Sequence, residues 1–378
     1  MSYLYFDSAA TSPPCAEALA AVSTAYEAYG NPSSLHAAGL QARRLVEDGR
    51  AKVARAFRCE PGELFFTSSG TESNNQALFG MAKLRGKRAR TILATDSEHP
   101  SVENPLRALE EQGFTVIRLS TTGGELDYDG LKAALTASAP VAFVTVMQAN
   151  NETGAVYDLP RVKRILEESG SDALLHCDAV QGFLKVEGDR LSACCDVVTL
   201  SAHKIGGVKG AGALYIGKRA HVLPPLLLGG GQENGLRSGT ENVAAIAAFG
   251  AAAAAMCADK ERFSYPASLR EEVLRRLQDS AILFHLPERH LPNILHLSIP
   301  GVPSSWALNF LSERGICVSA GSACSAREKK KGNPVLKAYG LPDREIETSL
   351  RISFCRQNTM EECAILCDAL RDCAKLKR

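Results

Sequence analysis

A chain of 378 residues can bury a large core as two domains, or as one large domain with a satellite, and its 45% hydrophobic and 22% charged residues are ordinary for a globular protein. A formal net charge of +1 gives no reason to expect nucleic acid or an anionic membrane as a partner, and no apolar run reaches membrane-spanning length. Twelve cysteines are scattered, no C-x-x-C pair occurs, and Met1 is not followed by a basic segment and an apolar core. The expectation is therefore a cytoplasmic location with reduced thiols, no disulfide framework and no metal site.

In chain order, strands are expected at 64–67, 91–95, 115–119, 141–147, 173–178, 197–201 and 213–216, with helical, charged stretches such as 160–169 between them. Short apolar strands alternating with helices predict an α/β fold with a mostly parallel central sheet flanked by helices. Ligands of such sheets collect at the carboxyl ends of the strands, where Thr71, His99, Asn151, Asp178 and Lys204 would stand. The alanine-rich stretch 244–258 reads as a buried helix. After Lys260 the texture changes to a charged helix (268–279), a strand (294–299), an apolar helix, strands at 317–319 and 349–354, and a closing helix. On that last helix Cys363, Cys367 and Cys373 share a face with Leu366 and Leu370 and read as core packing. This predicts a large domain over 15–257 and a smaller α+β domain built from 1–14 and 258–378.

Lys204 follows the β-branched run 196–200, and Asp178 ends the apolar run before it. A lysine and an aspartate at the ends of neighbouring buried strands is the arrangement pyridoxal phosphate (PLP) requires. The amine forms an imine with the cofactor, and the carboxylate keeps the ring nitrogen protonated. The plainer alternatives are a surface lysine in a glycine-rich turn and a turn aspartate. The flanking strand and Gly206–Gly207 weigh against the first, and the cost of an unpaired buried carboxylate against the second. Gln181 could reach a ring oxygen. The segment 67–75, with Gly70 and Thr71, either presents a helix N-terminus to a phosphate or is a capping box started by Thr71 or Ser73. Ser201 and His203 could add phosphate donors.

His99 is either structural or an imidazole placed over the ring to handle protons. Arg351 suits bidentate binding of a substrate carboxylate, or an interstrand salt bridge. Cys324 sits among small residues before the basic run 327–331, a pattern that predicts an exposed loop in which Arg327 and Lys329 to Lys331 favour the thiolate, unless that charge is merely solvated.

Taken together, Tyr5 to Thr11, 30–34 with His36, 71–75, 97–99, 150–154, Asp178 with Gln181, Ser201 with His203 and Lys204, 229–233, 237–240, 321–324 and Arg351 resemble the cysteine desulfurases. These are a branch of the class V aminotransferase-like, fold-type I PLP enzymes, and the long stretch after Cys324 resembles their flexible-loop branch. The resemblance implies conversion of L-cysteine to L-alanine, with sulfur passing to Cys324 as a persulfide. From there it would go to an acceptor, either an iron–sulfur scaffold or a tRNA-thiolation enzyme.

It further implies that Lys204 carries PLP, Asp178 pairs with the ring nitrogen, and Gln181 and Asn151 contact the ring-oxygen region. Gly70, Thr71, Ser201 and His203 would hold the phosphate, joined by Thr240 from the other subunit of a homodimer. His99 would stack on the ring, and Asn151 and Arg351 would meet the substrate. Ser69, Cys355 and 304–307 depart from the family pattern without removing a catalytic group. Rival readings are a selenocysteine lyase or aminotransferase on the same scaffold, and a sulfur carrier that has lost catalysis. Intact Lys204, Asp178 and His99 count against the last.

Overall fold

The computed structural model describes residues 3–137, 139–188, 190–321 and 332–376. Its strands are β1 (Leu4–Tyr5), β2 (Leu64–Thr67), β3 (Thr91–Thr95), β4 (Thr115–Leu119), β5 (Val141–Thr145), β6 (Leu174–Asp178), β7 (Val197–Ser201), β8 (Gly212–Ile216), β9 (Leu283–His285), β10 (Ile294–Ser298), β11 (Ile316–Cys317), β12 (Ser319–Ala320) and β13 (Ser349–Ser353).

Seven of them form the central sheet in the order β2-β8-β7-β6-β5-β3-β4. The strands β7, β6, β5, β3 and β4 pair in parallel; β3, β5, β6 and β7 are buried throughout, as apolar runs covered on both faces should be, whereas the edge strand β4 is largely exposed. Strand β8 runs antiparallel to both of its neighbours. Residues 202–211 are too short for the helical crossover that a parallel return needs, so the chain doubles straight back. Lys204 lies on this short return. From β3 the order runs to β4 on one side and to β5, β6 and β7 on the other, so the topological switch falls between β3 and β5. Ligand crevices form at such points, and the segments after β3 and β5 carry His99 and Asn151. Strand β5 stops two residues short of the expected 147, because the Met147 N–H is taken by Glu98 Oε1 at 2.7 Å instead of a ladder carbonyl.

Helix Gly70–Arg85 packs across the sheet, and helix Pro100–Glu111 packs on that helix. The alanine-rich helix Val243–Ala258 buries Ala245, Ile246, Ala248, Phe249, Ala252 and Ala253. Helices Ala16–Glu27 and Ala37–Phe57 pack against it.

The second sheet is antiparallel, in the order β12-β13-β10-β9, over a separate core that includes Leu295, Leu297, Leu350, Ile352, Leu366 and Leu370. Cys363, Cys367 and Cys373 are fully buried in that core. The strand expected at 317–319 is broken in two. Strand β11 pairs in parallel with β1, and β12 pairs with β13, so the chain changes partners at Val318. The segment before Pro14 joins this region through β1 and through Phe6, whose ring meets Phe354 edge-on at 5.9 Å. Among the described residues no helix is long and apolar enough to cross a membrane, and no cluster of His, Cys, Asp and Glu could hold a metal ion.

Candidate active site

The lysine turn is built by its glycines. After the fully buried β7, residues Ala202–Lys204 make one tight turn, and Gly206 adopts φ +83°, a left-handed conformation that favours glycine. At Gly207 a Cβ would lie 2.9 Å from Ala202 Cβ and O, so the return strand can approach this closely only without a side chain. The N-terminal segment closes over the turn. Ser12 N–H donates to His203 O (2.8 Å) and Ser12 Oγ to Lys204 O (2.9 Å). Lys204 Nζ donates to Ala9 O at 2.5 Å and Ala10 O at 2.9 Å.

Asp178 ends β6 and is buried. Its carboxylate accepts from Val180 N–H (2.9 Å) and from Asn74 Nδ2 (2.7 Å). The second Asn74 amide hydrogen goes to Ser101 Oγ (2.8 Å), so the Ser101 hydroxyl is left to donate to His99 Nδ1, 2.8 Å away. The Ser101 backbone N–H also donates to that nitrogen (3.1 Å). Two donors on Nδ1 assign the neutral ring its proton at Nε2. Burial lowers the His99 pKa, with Asp178 opposing and Lys204 adding to the effect. His99 therefore stands within electrostatic reach of both predicted cofactor-binding groups. Asn74 and Ser101 were not assigned roles from sequence.

Beneath this corner Glu98 is fully enclosed. Burial, with the Asp178 charge adding, pushes its carboxyl up to about 8 although Thr95 Oγ1 and Met147 N–H donate to it. This environment favours the protonated form.

At the opposite end of the site, Ser69 caps helix Gly70–Arg85 by accepting from Glu72 N–H (3.2 Å), so neither Thr71 nor Ser73 is the cap. Ser73 instead bonds Thr67 across 2.7 Å, and Thr71 is exposed in the first turn. A Cβ on Gly70 would fall 2.7 Å from Val180 Cγ2 and 3.7 Å from Ser201 Cβ, which places Ser201 beside the helix N-terminus. The Ser201 hydroxyl is buried and has no hydrogen-bond partner among the described residues. A buried orphan donor beside unpaired helical N–H groups fits a bound phosphate. His203 Nδ1 lies 3.2 Å from Thr11 Oγ1, and burial, aided by the Lys204 charge, pulls its pKa down to about 4. Gln181 Nε2 donates to Ala9 O (2.8 Å).

Arg351 sits on β13 with both carboxylate-binding alternatives in play. Its guanidinium is buried and donates to Asn151 O (3.0 Å), Glu152 Oε1 (3.1 Å) and Asp7 Oδ1 (3.0 Å). The ion pair is thus present, but with Asp7 and Glu152 and not with its cross-strand neighbours His296 and Ser319. Asn151 Nδ2 donates to the same Glu152 oxygen (3.0 Å), and burial raises the Glu152 carboxyl while Arg351 lowers it. Lys204 also acts on Glu152, which ties this corner to the lysine.

Cys324 lies outside the described residues, three positions beyond Gly321. The described chain resumes at Gly332, and Asn333 Nδ2 donates back to Gly321 O. Thr240 is exposed, in a segment that Arg237 ties to Glu72 at 2.8 Å.

An imine-forming amine, an anchored carboxylate, a neutral imidazole and an orphan hydroxyl at a helix N-terminus are the donor set that PLP needs, and these residues fit it. Over residues 4–366 the chain matches the family described as aminotransferase class-V. A cysteine desulfurase of Trichormus azollae is 39% identical over 372 residues, covering 95% of this chain and 90% of the relative. Cysteine desulfurase IscS 1 of Archaeoglobus fulgidus is 34% identical, with 97% and 95% covered. A solved NifS-like protein matches with a TM-score of 0.90 at 34% identity, covering 98% of this chain and 99% of that one. The chain belongs to the cysteine desulfurases, PLP-dependent enzymes of the aminotransferase class-V family.

Proposed function

We propose that this chain removes sulfur from L-cysteine with Lys204, Asp178, His99, Arg351 and Cys324 in the working roles. The observation that carries the reading is the chain of contacts from Asp178 through Asn74 and Ser101 to His99, set beside the Lys204 turn. When bound, PLP supplies an electron-withdrawing ring that lets the substrate α-carbon give up its proton.

The Lys204 amine anchors the cofactor and then carries that proton at Nζ. Asp178, fixed by two donors, holds the ring nitrogen protonated. Gly70, Thr71, Ser201 and His203 hold the phosphate, and Gln181 and Asn151 meet the ring-oxygen region. His99 covers the ring and offers a proton at Nε2. Arg351 takes the substrate carboxylate, displacing part of its hold on Asp7 and Glu152. The Cys324 thiolate attacks the substrate sulfur; the carbon–sulfur bond breaks, a sulfur–sulfur bond forms, and the carbon skeleton leaves as L-alanine after protonation.

In this reading the large domain, 15–257, binds the cofactor, and the smaller domain, 1–14 with 258–378, bears the catalytic cysteine. A homodimer fits the exposed Tyr26, Tyr29, Leu35 and Leu228, each more than 70% exposed, which a second copy would cover while lending Thr240 to the neighbouring site. A cytoplasmic setting agrees with Cys15, Cys59, Cys257, Cys317 and Cys355, which are accessible free thiols. The acceptor of the Cys324 sulfur is an iron–sulfur scaffold or a tRNA-thiolation enzyme.

The test is to supply L-cysteine with a reductant and measure sulfide and alanine together. Equal amounts, lost in Cys324→Ala with the cofactor still bound, support the assignment. Pyruvate with ammonia, or transamination products, would refute it.

A further inference from the structure

Lys185 is a buried amine to which the proposed chemistry gives no task. It stands four residues after Gln181, only 6% exposed, and its Nζ donates to Gln181 Oε1 at 3.1 Å. A primary amide can face either way round, and its two ends are opposite in hydrogen-bonding sense. With Oε1 engaged by Lys185, the donor end Nε2 turns the other way and reaches Ala9 O at 2.8 Å. The same carbonyl accepts from Lys204 Nζ at 2.5 Å, so the amide donor and the anchoring lysine converge on one atom.

We propose that Lys185 is a positioning residue that holds Gln181 with its amide donor, not its carbonyl, turned toward Lys204 and the cofactor's ring oxygen. The inference rests on the reading of Gln181 as a cofactor contact. Ala9 O favours the same orientation from the far side, but it also serves Lys204. When those two donors engage the cofactor, Lys185 is the contact that still fixes the amide. A flipped amide would set its carbonyl against an oxygen of like sense, and a buried mismatch of that kind is costly. Burial, with the Lys204 charge adding to it, pulls the Lys185 pKa down to about 7, and in either protonation state the amine keeps an N–H to donate to Gln181 Oε1. Both amines border a cavity of about 260 Å³, which leaves room for an unbranched replacement at 185.

The test is a double-mutant cycle on the equilibrium dissociation constant of PLP, using the full chain as apoprotein: wild type, Lys185→Met, Gln181→Leu and the double variant. Thermal unfolding serves as the folding control. Each single change should weaken binding about tenfold, and the double variant should bind no worse than Gln181→Leu. The visible absorption band of the loaded Lys185→Met protein should shift in the same direction as that of Gln181→Leu. Gln181→Glu leaves Lys185 untouched and removes the donor, so it should weaken binding as Gln181→Leu does, even if the methionine variant misfolds. Wild-type binding by Lys185→Met, or losses that add in the double variant, would overturn the proposal. A silent Gln181→Leu would instead bring down the underlying reading of Gln181, and the proposal with it.

Discussion

The Asp178 corner and the Arg351 corner are both buried and charged, yet they are built on opposite plans. At Asp178 each donor in the chain from Asn74 to Ser101 to His99 has one acceptor in front of it, and the directions can be assigned without ambiguity. At Arg351 one guanidinium is shared by two carboxylates and a backbone carbonyl. The first plan fixes a field and keeps it, as a site that stabilises developing charge should. The second holds a charge in reserve, because a visiting carboxylate can replace one that is already there. Fixed partners suit the ring of the cofactor, and exchangeable partners suit a substrate that must come and go.

Breaking the fixed corner should have the largest effect. Asp178→Asn keeps the shape and the contact to Val180 but removes the charge. Sulfide release should fall about 10³-fold while thermal unfolding stays close to wild type.

Glu98 under the same corner gives a pH signature. Its folded pKa is raised from 4.5 to about 8, so the native chain holds a proton that the unfolded chain gives up above 4.5. This group's contribution therefore weakens as pH rises through that window, by about 1.4 kcal/mol per pH unit. In Glu98→Gln the slope is absent. The unfolding temperature of the variant should gain on wild type steadily between pH 5 and 8, and a constant gap would contradict the protonated assignment.

A smaller change, Ser101→Ala, cuts the link between Asn74 and His99. The expected result is a fall in kcat of about tenfold with KM little changed, measured by steady-state alanine release.

The exchangeable corner is sharpened by Glu152→Gln. The amide can still accept from Arg351, but the competing charge is gone, so KM for L-cysteine should drop about fivefold. A rise in KM would mean that Glu152 aims the guanidinium more than it competes for it.

The positions of Lys204, Asp178 and His99 at the ends of strands are legible in the sequence because each follows an apolar run, and those runs fold as buried strands. The helical N-terminus at 70–71 is legible for the same reason, although its cap proves to be Ser69. Asn74 and Ser101 carry no comparable signal. One is a polar residue inside a helix and the other follows a proline at a helix start, and the two, 27 residues apart in the chain, acquire meaning only when their helices are packed side by side. The partners of Arg351 are harder still, since Asp7 and Glu152 are 344 and 199 residues away in the chain. The reversal of β8 follows from a connection length that could have been counted, whereas the split of the expected strand at Val318 depends on β1 arriving from the other end.

The closure of residues 9–12 over the lysine turn has a consequence for biosynthesis. Ser8 Oγ bonds Phe354 O at 2.6 Å and Ala9 N–H bonds Ser353 Oγ at 2.8 Å, so residues 8 and 9 dock against residues synthesised long after them. Closing so long a loop gains nothing until both ends exist. The nascent enzyme must therefore wait, with residues 8–12 undocked, until translation has passed residue 354 before the pocket around the amine can take its final form.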